Sequence, residues 1–158
     1  MNKVIVIGMG LCSQDLTAGH LEIIRSADIL MGGRRHLAAF EALPVRKEAI
    51  PGKVDDAIAF IQRHMEDQRI VVLASGDPLF YGIGTRISRE LGGDRVTVLP
   101  NISAIAAAFA RINVAWEHAE VISFHGRDQR GALLLALKTG VPVAVLTDHH
   151  QTPGWLDG

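Results

Sequence analysis

Runs of apolar, often β-branched residues alternate along the chain with segments whose apolar residues recur every three or four positions. Such runs are typical of strands buried in a parallel sheet, and such segments are typical of helices that bury one face. The alternation predicts βαβ units, and hence an α/β fold with a mainly parallel five-stranded sheet in the N-terminal part. Strands are predicted at 3–8, 28–31, 47–50, 69–75 and 96–100. Helices are predicted at 17–27, 35–42, 54–67, 83–91 and 102–112, and Asn101 and Ser103 are placed to cap the last of them.

The pattern changes after residue 112, where a short segment without clear periodicity predicts a linker. Beyond it, strands are predicted at 119–124 and 141–147, with a helix at 131–138 between them. Two strands and one helix bury too little apolar surface to make a core of their own. We therefore expect an N-terminal α/β domain at 1–112 and, at 113–158, the beginning of a smaller C-terminal α/β domain that is cut short.

Composition narrows the class of protein. With 48% hydrophobic residues and a net charge of −1, the chain is expected to be a well-cored soluble protein rather than a dedicated nucleic-acid binder. The single cysteine, Cys12, allows no disulfide within the chain and indicates a reducing compartment. Since the first apolar run is too short for a signal peptide, a cytoplasmic location is expected.

The most distinctive stretch is 75–84, which holds three glycines, a proline and one carboxylate directly after a predicted buried strand. Ligands of parallel α/β sheets bind beyond the carboxyl ends of the strands, so this loop is a candidate ligand site. Asp77 could bind ribose hydroxyls or a cationic group, or could stabilise its own turn. Tyr81 could pack against its neighbours or offer its hydroxyl to a ligand.

A second glycine loop, Gly8-Met9-Gly10, also follows a predicted strand and is expected at the same edge of the sheet. It resembles a dinucleotide-binding fingerprint, but Ser13 stands where the third glycine would be. A tight turn and a ligand contact are both consistent with this pattern.

Charged and metal-binding residues give weaker signals. Arg34 and Arg35 follow a Gly-Gly turn, where guanidinium groups could bind carboxylates or could simply be solvated. His125 ends a predicted strand, where it could take part in catalysis or form a structural hydrogen bond. The spacing of the histidines and of Cys12 matches no familiar metal-binding motif, so no metal site is predicted.

Taken in chain order, these motifs resemble the tetrapyrrole methylases, which are S-adenosylmethionine-dependent methyltransferases. The Gly-Asp-Pro run at 76–78 marks the superfamily. Gly-Gly-Arg-Arg-His at 32–36 and Phe-His-Gly-Arg at 124–127 narrow the resemblance to cobalamin-pathway enzymes that methylate carbon 5 of precorrin-7 or cobalt-precorrin-7. One departure lies in the first loop, where Leu11-Cys12 replaces the family's usual Pro-Gly. The matching segments are 6–10, 15–17, 32–37, 75–82, 99–104, 108–111, 123–127 and 145–148.

The resemblance implies the tetrapyrrole methylase fold and S-adenosyl-L-methionine as cofactor, with S-adenosyl-L-homocysteine as product. It implies a tetrapyrrole substrate, a homodimer, and a partner enzyme or fused domain that methylates carbon 15 with decarboxylation. Cobalt, where present, would belong to the substrate. The implied cofactor contacts are Gly76, Asp77, Ile83, Ser103, Ala104 and Thr147. The implied substrate contacts are Gly8, Gly10, Arg34, Arg35, Tyr81, His125 and Arg127.

Three alternatives remain at this point. Another tetrapyrrole methyltransferase or a diphthine methyltransferase would share the Gly-Asp-Pro loop, although the Gly-Gly-Arg-Arg-His run argues against it. An RNA methyltransferase of the same superfamily is disfavoured by the near-neutral charge and the few aromatic residues. A non-catalytic α/β ligand-binding module would differ by binding neither S-adenosylmethionine nor its product.

Overall fold

The computed structural model describes residues 3–50, 52–125, 128–148 and 150–156. Contacts divide the chain into two compact units, residues 1–104 and 105–158. The division lies one helix earlier than the boundary after residue 112 that the sequence suggested, and the assignment of domains stays a prediction.

The first unit is built on a parallel sheet with strand order β3-β2-β4-β1-β5, which confirms the predicted α/β class. Its strands are β1 (Val4–Gly8), β2 (Ile29–Gly32), β3 (Arg46–Ala49), β4 (Ile70–Ala74) and β5 (Val96–Leu99). Its helices are α1 (Ala18–Ser26), α2 (Arg34–Ala38), α3 (Val54–His64) and α4 (Ile83–Leu91), and α5 (Ala104–Ile112) follows β5. In the described residues, no helix combines the length and the apolar character that crossing a membrane requires.

The predicted helices exist, but two of them end earlier than expected. The segments predicted at 35–42 and 54–67 end at Ala38 and His64, because turns complete each connection to the next strand. A short 3₁₀ helix, Ser13–Asp15, lies between β1 and α1, where the sequence gave no periodic signal.

Both faces of the sheet are covered by helices, which explains why β4 is apolar throughout. Ile70, Val72 and Ala74 belong to a buried cluster with α3 and α4. Val71 and Leu73 belong to a second cluster with residues of α1 and α2. A strand buried on both faces has no polar side to alternate with, and this is the pattern that the sequence shows.

The second unit contains a parallel pair of strands, β6 (Glu120–Ser123) and β7 (Val143–Leu146), connected through α6 (Arg130–Ala136). Its buried cluster is small and consists of Ile122, Phe124 and Ala136, with a few partly buried neighbours. A last short helix, α7 (Pro153–Leu156), lies where the sequence predicted the opening of a helix.

An exposed ion pair joins the segments that lead into two neighbouring strands. Arg69, before β4, donates from its backbone and side chain to both carboxylate oxygens of Asp28, before β2, at 2.8 to 3.1 Å. These hydrogen bonds and the charge of Arg69 lower the pKa of Asp28 from its usual 3.8 to about 2. A carboxyl group whose pKa is depressed by folding stabilises the folded state when it is ionised.

We expect this contribution to depend on pH. Asp28→Asn should lower the urea midpoint of unfolding at neutral pH, because the amide cannot pair with the Arg69 guanidinium. The contribution of the pair is present above the unfolded pKa, and the difference from wild type should therefore disappear as the pH falls from about 4 to about 2. Asp67→Asn is a matched control, since Asp67 is exposed and forms no ion pair within the described residues. An equal difference at neutral pH and at pH 2 would contradict the assignment.

Candidate functional site

Three loops meet where β1, β4 and β5 end, because these strands are parallel neighbours in the sheet. Gly10 and Gly76 form two backbone hydrogen bonds with each other, with N···O distances of 3.3 and 3.1 Å. The side-chain amide of Asn101 donates to the carbonyl oxygen of Gly8 at 2.9 Å. We call residues 8–12, 75–84 and 100–104 the loop edge. The two glycine loops thus lie side by side, as the sequence predicted.

Two glycines of the loop edge are required by its geometry. A Cβ atom on Gly8 would lie 2.4 Å from the carbonyl oxygen of Gly76, too close for any side chain. Gly76 has φ +56°, a conformation that favours glycine, and its Cα faces Ser103 and Ala104 across ordinary van der Waals distances. The structure therefore brings the predicted cofactor contacts of β4 and β5 together, while Gly8 and Gly10 serve the packing of the loops.

The carboxylate of Asp15 fills the turn after β1. Its Oδ2 accepts hydrogen bonds from the backbone N–H groups of Leu11 and Cys12, at 2.7 and 3.2 Å. In a dinucleotide-binding loop such N–H groups would face a pyrophosphate. Because they are already bound to a carboxylate of the same chain, the geometry favours a tight turn over a phosphate-binding loop.

Asp77 stabilises its own turn, one of the two roles that the sequence left open. Its Oδ1 accepts a hydrogen bond from the backbone N–H of Leu79 at 2.8 Å. A carboxylate has two acceptor oxygens and Asp77 is only partly buried, so the turn fixes the group without exhausting its capacity to bind a ligand. Tyr81 nearby is 51% exposed and has φ +54°, a strained backbone conformation that is often found at binding sites.

The remainder of the loop is packed tightly against Pro78. A Cβ atom on Gly82 would lie 2.5 Å from the carbonyl oxygen of Pro78, and one on Gly84 would lie 2.7 Å from it. Between them, the side chain of Ile83 packs against the buried cluster under α3 and α4. The predicted cofactor contact of Ile83 would therefore involve its backbone.

Arg34 and Arg35 lie at the same edge of the sheet, because α2 follows β2 and β2 is the other neighbour of β4. Both arginines are exposed, and neither forms an ion pair in the part of the chain that the structure describes. The next residue, His36, lies with its Nε2 atom 3.2 Å from the Oγ atom of Ser75. Burial, and next the positive charge of Arg35, lower the pKa of His36.

Sequence reasoning missed the part played by Asn101. It was expected to cap α5, and this was wrong. Its Oδ1 accepts from the backbone N–H of the next residue, Ile102, and its Nδ2 donates to the carbonyl oxygens of Gly8 and Asp15. The side chain thus holds two loops of the loop edge together instead of serving the helix.

The remaining predicted contacts belong to the second unit. His125 and Thr147 follow the parallel strands β6 and β7, and both are exposed. The backbone N–H of His125 donates to the Oγ of Ser123 at 3.4 Å. Arg127 lies outside the described residues. No cluster of three or more metal-binding side chains occurs among the residues that are described.

Comparisons with known proteins agree with this geometry. The family model described as tetrapyrrole (corrin/porphyrin) methylases matches residues 3–157. The cobalt-precorrin-7 C(5)-methyltransferase of Salmonella typhimurium is 41% identical over 123 residues, which are 77% of this chain and 61% of the relative. The decarboxylating precorrin-6Y C(5,15)-methyltransferase of Mycobacterium tuberculosis is 32% identical, over 92% of this chain and 40% of the relative.

A solved structure is also similar. The crystal structure of the cobalamin biosynthesis precorrin-6Y methylase of Archaeoglobus fulgidus matches with a TM-score of 0.75 and 27% identity, over 94% of this chain and 74% of that one. The chain spans about three fifths of the length of the Salmonella relative. Since the family model covers nearly the whole of it, the chain belongs to the family of tetrapyrrole (corrin/porphyrin) methylases.

Proposed function

We propose that the chain is part of an S-adenosylmethionine-dependent methyltransferase that methylates carbon 5 of precorrin-7 or cobalt-precorrin-7. The observation that carries this function is the loop edge, where Gly76 and Asp77 lie beside Ser103 and Ala104. The names of the Salmonella and Archaeoglobus relatives support the substrate. The partners rest on less. A homodimer, a cytoplasmic location and a second activity at carbon 15 stay predictions, the last supported by the name of the Mycobacterium relative.

The residues of the loop edge fit the chemistry of the cofactor. S-adenosylmethionine presents ribose hydroxyls, which are hydrogen-bond donors, and a positively charged sulfonium. The carboxylate of Asp77, fixed by the N–H of Leu79, can accept from such hydroxyls and favours positive charge nearby. Gly76 has no side chain to cover the approach to Ser103 and Ala104.

The reaction asks the protein mainly for binding and orientation. When bound, the cofactor supplies a methyl group that its sulfonium already activates. The chain's own residues would hold the two reactants in line, and correct orientation can contribute roughly 7–11 kcal/mol to lowering a barrier. Asp77 and the backbone at 103–104 would fix one reactant, while Arg34 and Arg35 would bind carboxylates of the other. A strong general base is not required for the transfer itself.

Titration calorimetry with S-adenosyl-L-homocysteine tests the function on the full-length protein. We expect saturable binding, with one site per chain. Absence of binding would favour a non-catalytic α/β ligand-binding module instead. Binding without methylation of precorrin-7 or its cobalt form would point to a sister methyltransferase of the same fold.

Arg34→Ala is expected to separate the two ligands. Removing an exposed, unpaired guanidinium should weaken precorrin-7 binding by roughly tenfold, since a hydrogen bond to a charged group contributes about 1.5–3 kcal/mol. The dissociation constant of S-adenosyl-L-homocysteine should change much less. Fluorescence or absorbance titration measures the first, and calorimetry measures the second.

Arg25→Ala is the matched control, because it removes the same charge from the end of α1, before β2 begins. It should leave both dissociation constants close to wild type. Equal losses of both ligands in Arg34→Ala would instead point to a role of Arg34 in folding.

A further inference from the structure

The glycine pair before α2 makes room for a histidine that reaches the loop edge. A Cβ atom on Gly32 would lie 3.1 Å from Cβ of Leu73 and 3.6 Å from Cβ of His36. One on Gly33 would lie 3.8 Å from Nδ1 of His36. With neither side chain present, the imidazole packs against the end of β2, and its Nε2 meets the Oγ of Ser75 at 3.2 Å.

The surroundings of the ring assign its proton. Nδ1 of His36 is buried and has no hydrogen-bond partner among the described residues. Burial and the charge of Arg35 keep the ring neutral near pH 7, because they lower its pKa. A neutral ring carries one N–H, and a buried N–H without an acceptor is rarer than a buried acceptor without a donor. The proton therefore lies on Nε2, which donates to the Oγ of Ser75.

This assignment decides what Ser75 can do. A hydroxyl group that accepts a hydrogen bond keeps its own hydrogen to donate. Ser75 is exposed and directly precedes Gly76 and Asp77, so its O–H is available on the loop edge. The exposed side chains of Arg34 and Arg35 add positive charge beside it. A donor hydroxyl next to cationic groups suits a carboxylate.

We propose that Ser75 binds a carboxylate group of the ligand through its hydroxyl hydrogen, that His36 positions this hydroxyl, and that Arg35 supplies the neighbouring charge. This rests on the proposed function, in which both the tetrapyrrole and the methionyl part of the cofactor carry carboxylates. The shared chemistry is the carboxylate, and the two sources are separable by experiment.

Ser75→Ala in the full-length protein tests the contact. We expect the binding of one probe, precorrin-7 or S-adenosyl-L-homocysteine, to weaken by roughly tenfold. 5′-Methylthioadenosine lacks the amino-acid carboxylate. If the methionyl carboxylate is bound, the variant should therefore weaken S-adenosyl-L-homocysteine but not 5′-methylthioadenosine. If a carboxylate of the tetrapyrrole is bound, only precorrin-7 should weaken.

Variants of His36 test the positioning role. His36→Leu should reproduce the loss seen in Ser75→Ala, and His36→Gln should restore binding, because the Gln amide can donate from nearly the position of Nε2. Ser26→Ala is the control, since Ser26 is exposed at the end of α1 and its hydroxyl donates to the carbonyl of Ile23. Urea midpoints close to wild type would show that each variant folds.

The outcomes separate this site from the function itself. Wild-type binding of both probes that is unchanged in Ser75→Ala would overturn the carboxylate contact and leave the proposed function in place. Equal loss in His36→Leu and His36→Gln, with Ser75→Ala affected, would overturn the positioning role. Failure of the wild-type protein to bind either probe would overturn both the function and the site.

Discussion

Replacing Gly84 with alanine is expected to lower the free energy of unfolding by roughly 1–3 kcal/mol, the usual cost of overpacking. Gly84 is the second residue of α4, where alanine would normally favour the helix. Here its Cβ would lie 2.7 Å from both Cβ and the carbonyl oxygen of Pro78, which is buried. The turn that carries Asp77 would have to move away from the helix, so binding of S-adenosyl-L-homocysteine should weaken as well. Urea unfolding and calorimetry measure the two effects.

Gly19→Ala provides the matched control for this substitution. Gly19 is the second residue of α1, and its nearest neighbour would be Oγ1 of Thr17, at 3.8 Å from the new Cβ. With space available, the substitution should leave stability unchanged or raise it by up to about 1 kcal/mol. If both variants behaved alike, the close packing of α4 against the 75–84 loop would be contradicted.

Asp77→Asn is expected to weaken the binding of S-adenosyl-L-homocysteine by roughly tenfold to a hundredfold, the range for hydrogen bonds to a charged group. The substitution is selective, because the Oδ1 of asparagine can still accept the hydrogen bond that the N–H of Leu79 donates to Asp77. The turn should therefore persist, and the urea midpoint should stay near that of wild type. What is lost is the negative charge, and with it the strength of contacts to ribose hydroxyls and to a positive centre.

Two further variants define the meaning of this result. Asp67→Asn removes the same charge from an exposed position after α3 and should leave affinity unchanged. Asp77→Ala should lose both affinity and stability, because the N–H of Leu79 would lose its partner in the turn. Unchanged affinity in Asp77→Asn would remove this carboxylate from the cofactor site.

Much of the fold could be predicted from the sequence, because its signals are local. The run Ile70–Ala74 is apolar at every position, which indicates a strand covered on both faces, and the structure places helices on both. The glycines of the 75–84 loop could likewise be assigned to the end of a strand. Since the carboxyl ends of parallel strands share one edge, the meeting of the loops at Gly10 and Gly76 followed from the fold class.

The contacts that complete the site could not be predicted, because they join distant parts of the chain. Ser75 and His36 are 39 residues apart and meet only because β2 is a neighbour of β4 in the sheet. Asn101 and Gly8 are 93 residues apart, and their hydrogen bond depends on β1 lying beside β5. Strand order is a tertiary property that periodicity does not encode. The filling of the first loop by Asp15 depends on a short 3₁₀ turn that has no periodic signal of its own.

Methyl transfer to precorrin-7 tests the proposed function most directly. The full-length protein would be incubated with S-adenosylmethionine carrying a carbon-13 methyl group and with precorrin-7 or cobalt-precorrin-7, and the product would be examined by carbon-13 NMR. We expect one labelled methyl group at carbon 5 of the tetrapyrrole, with release of S-adenosyl-L-homocysteine. A label at another carbon, or no transfer to either substrate by a protein that binds the cofactor, would contradict the function proposed for this chain.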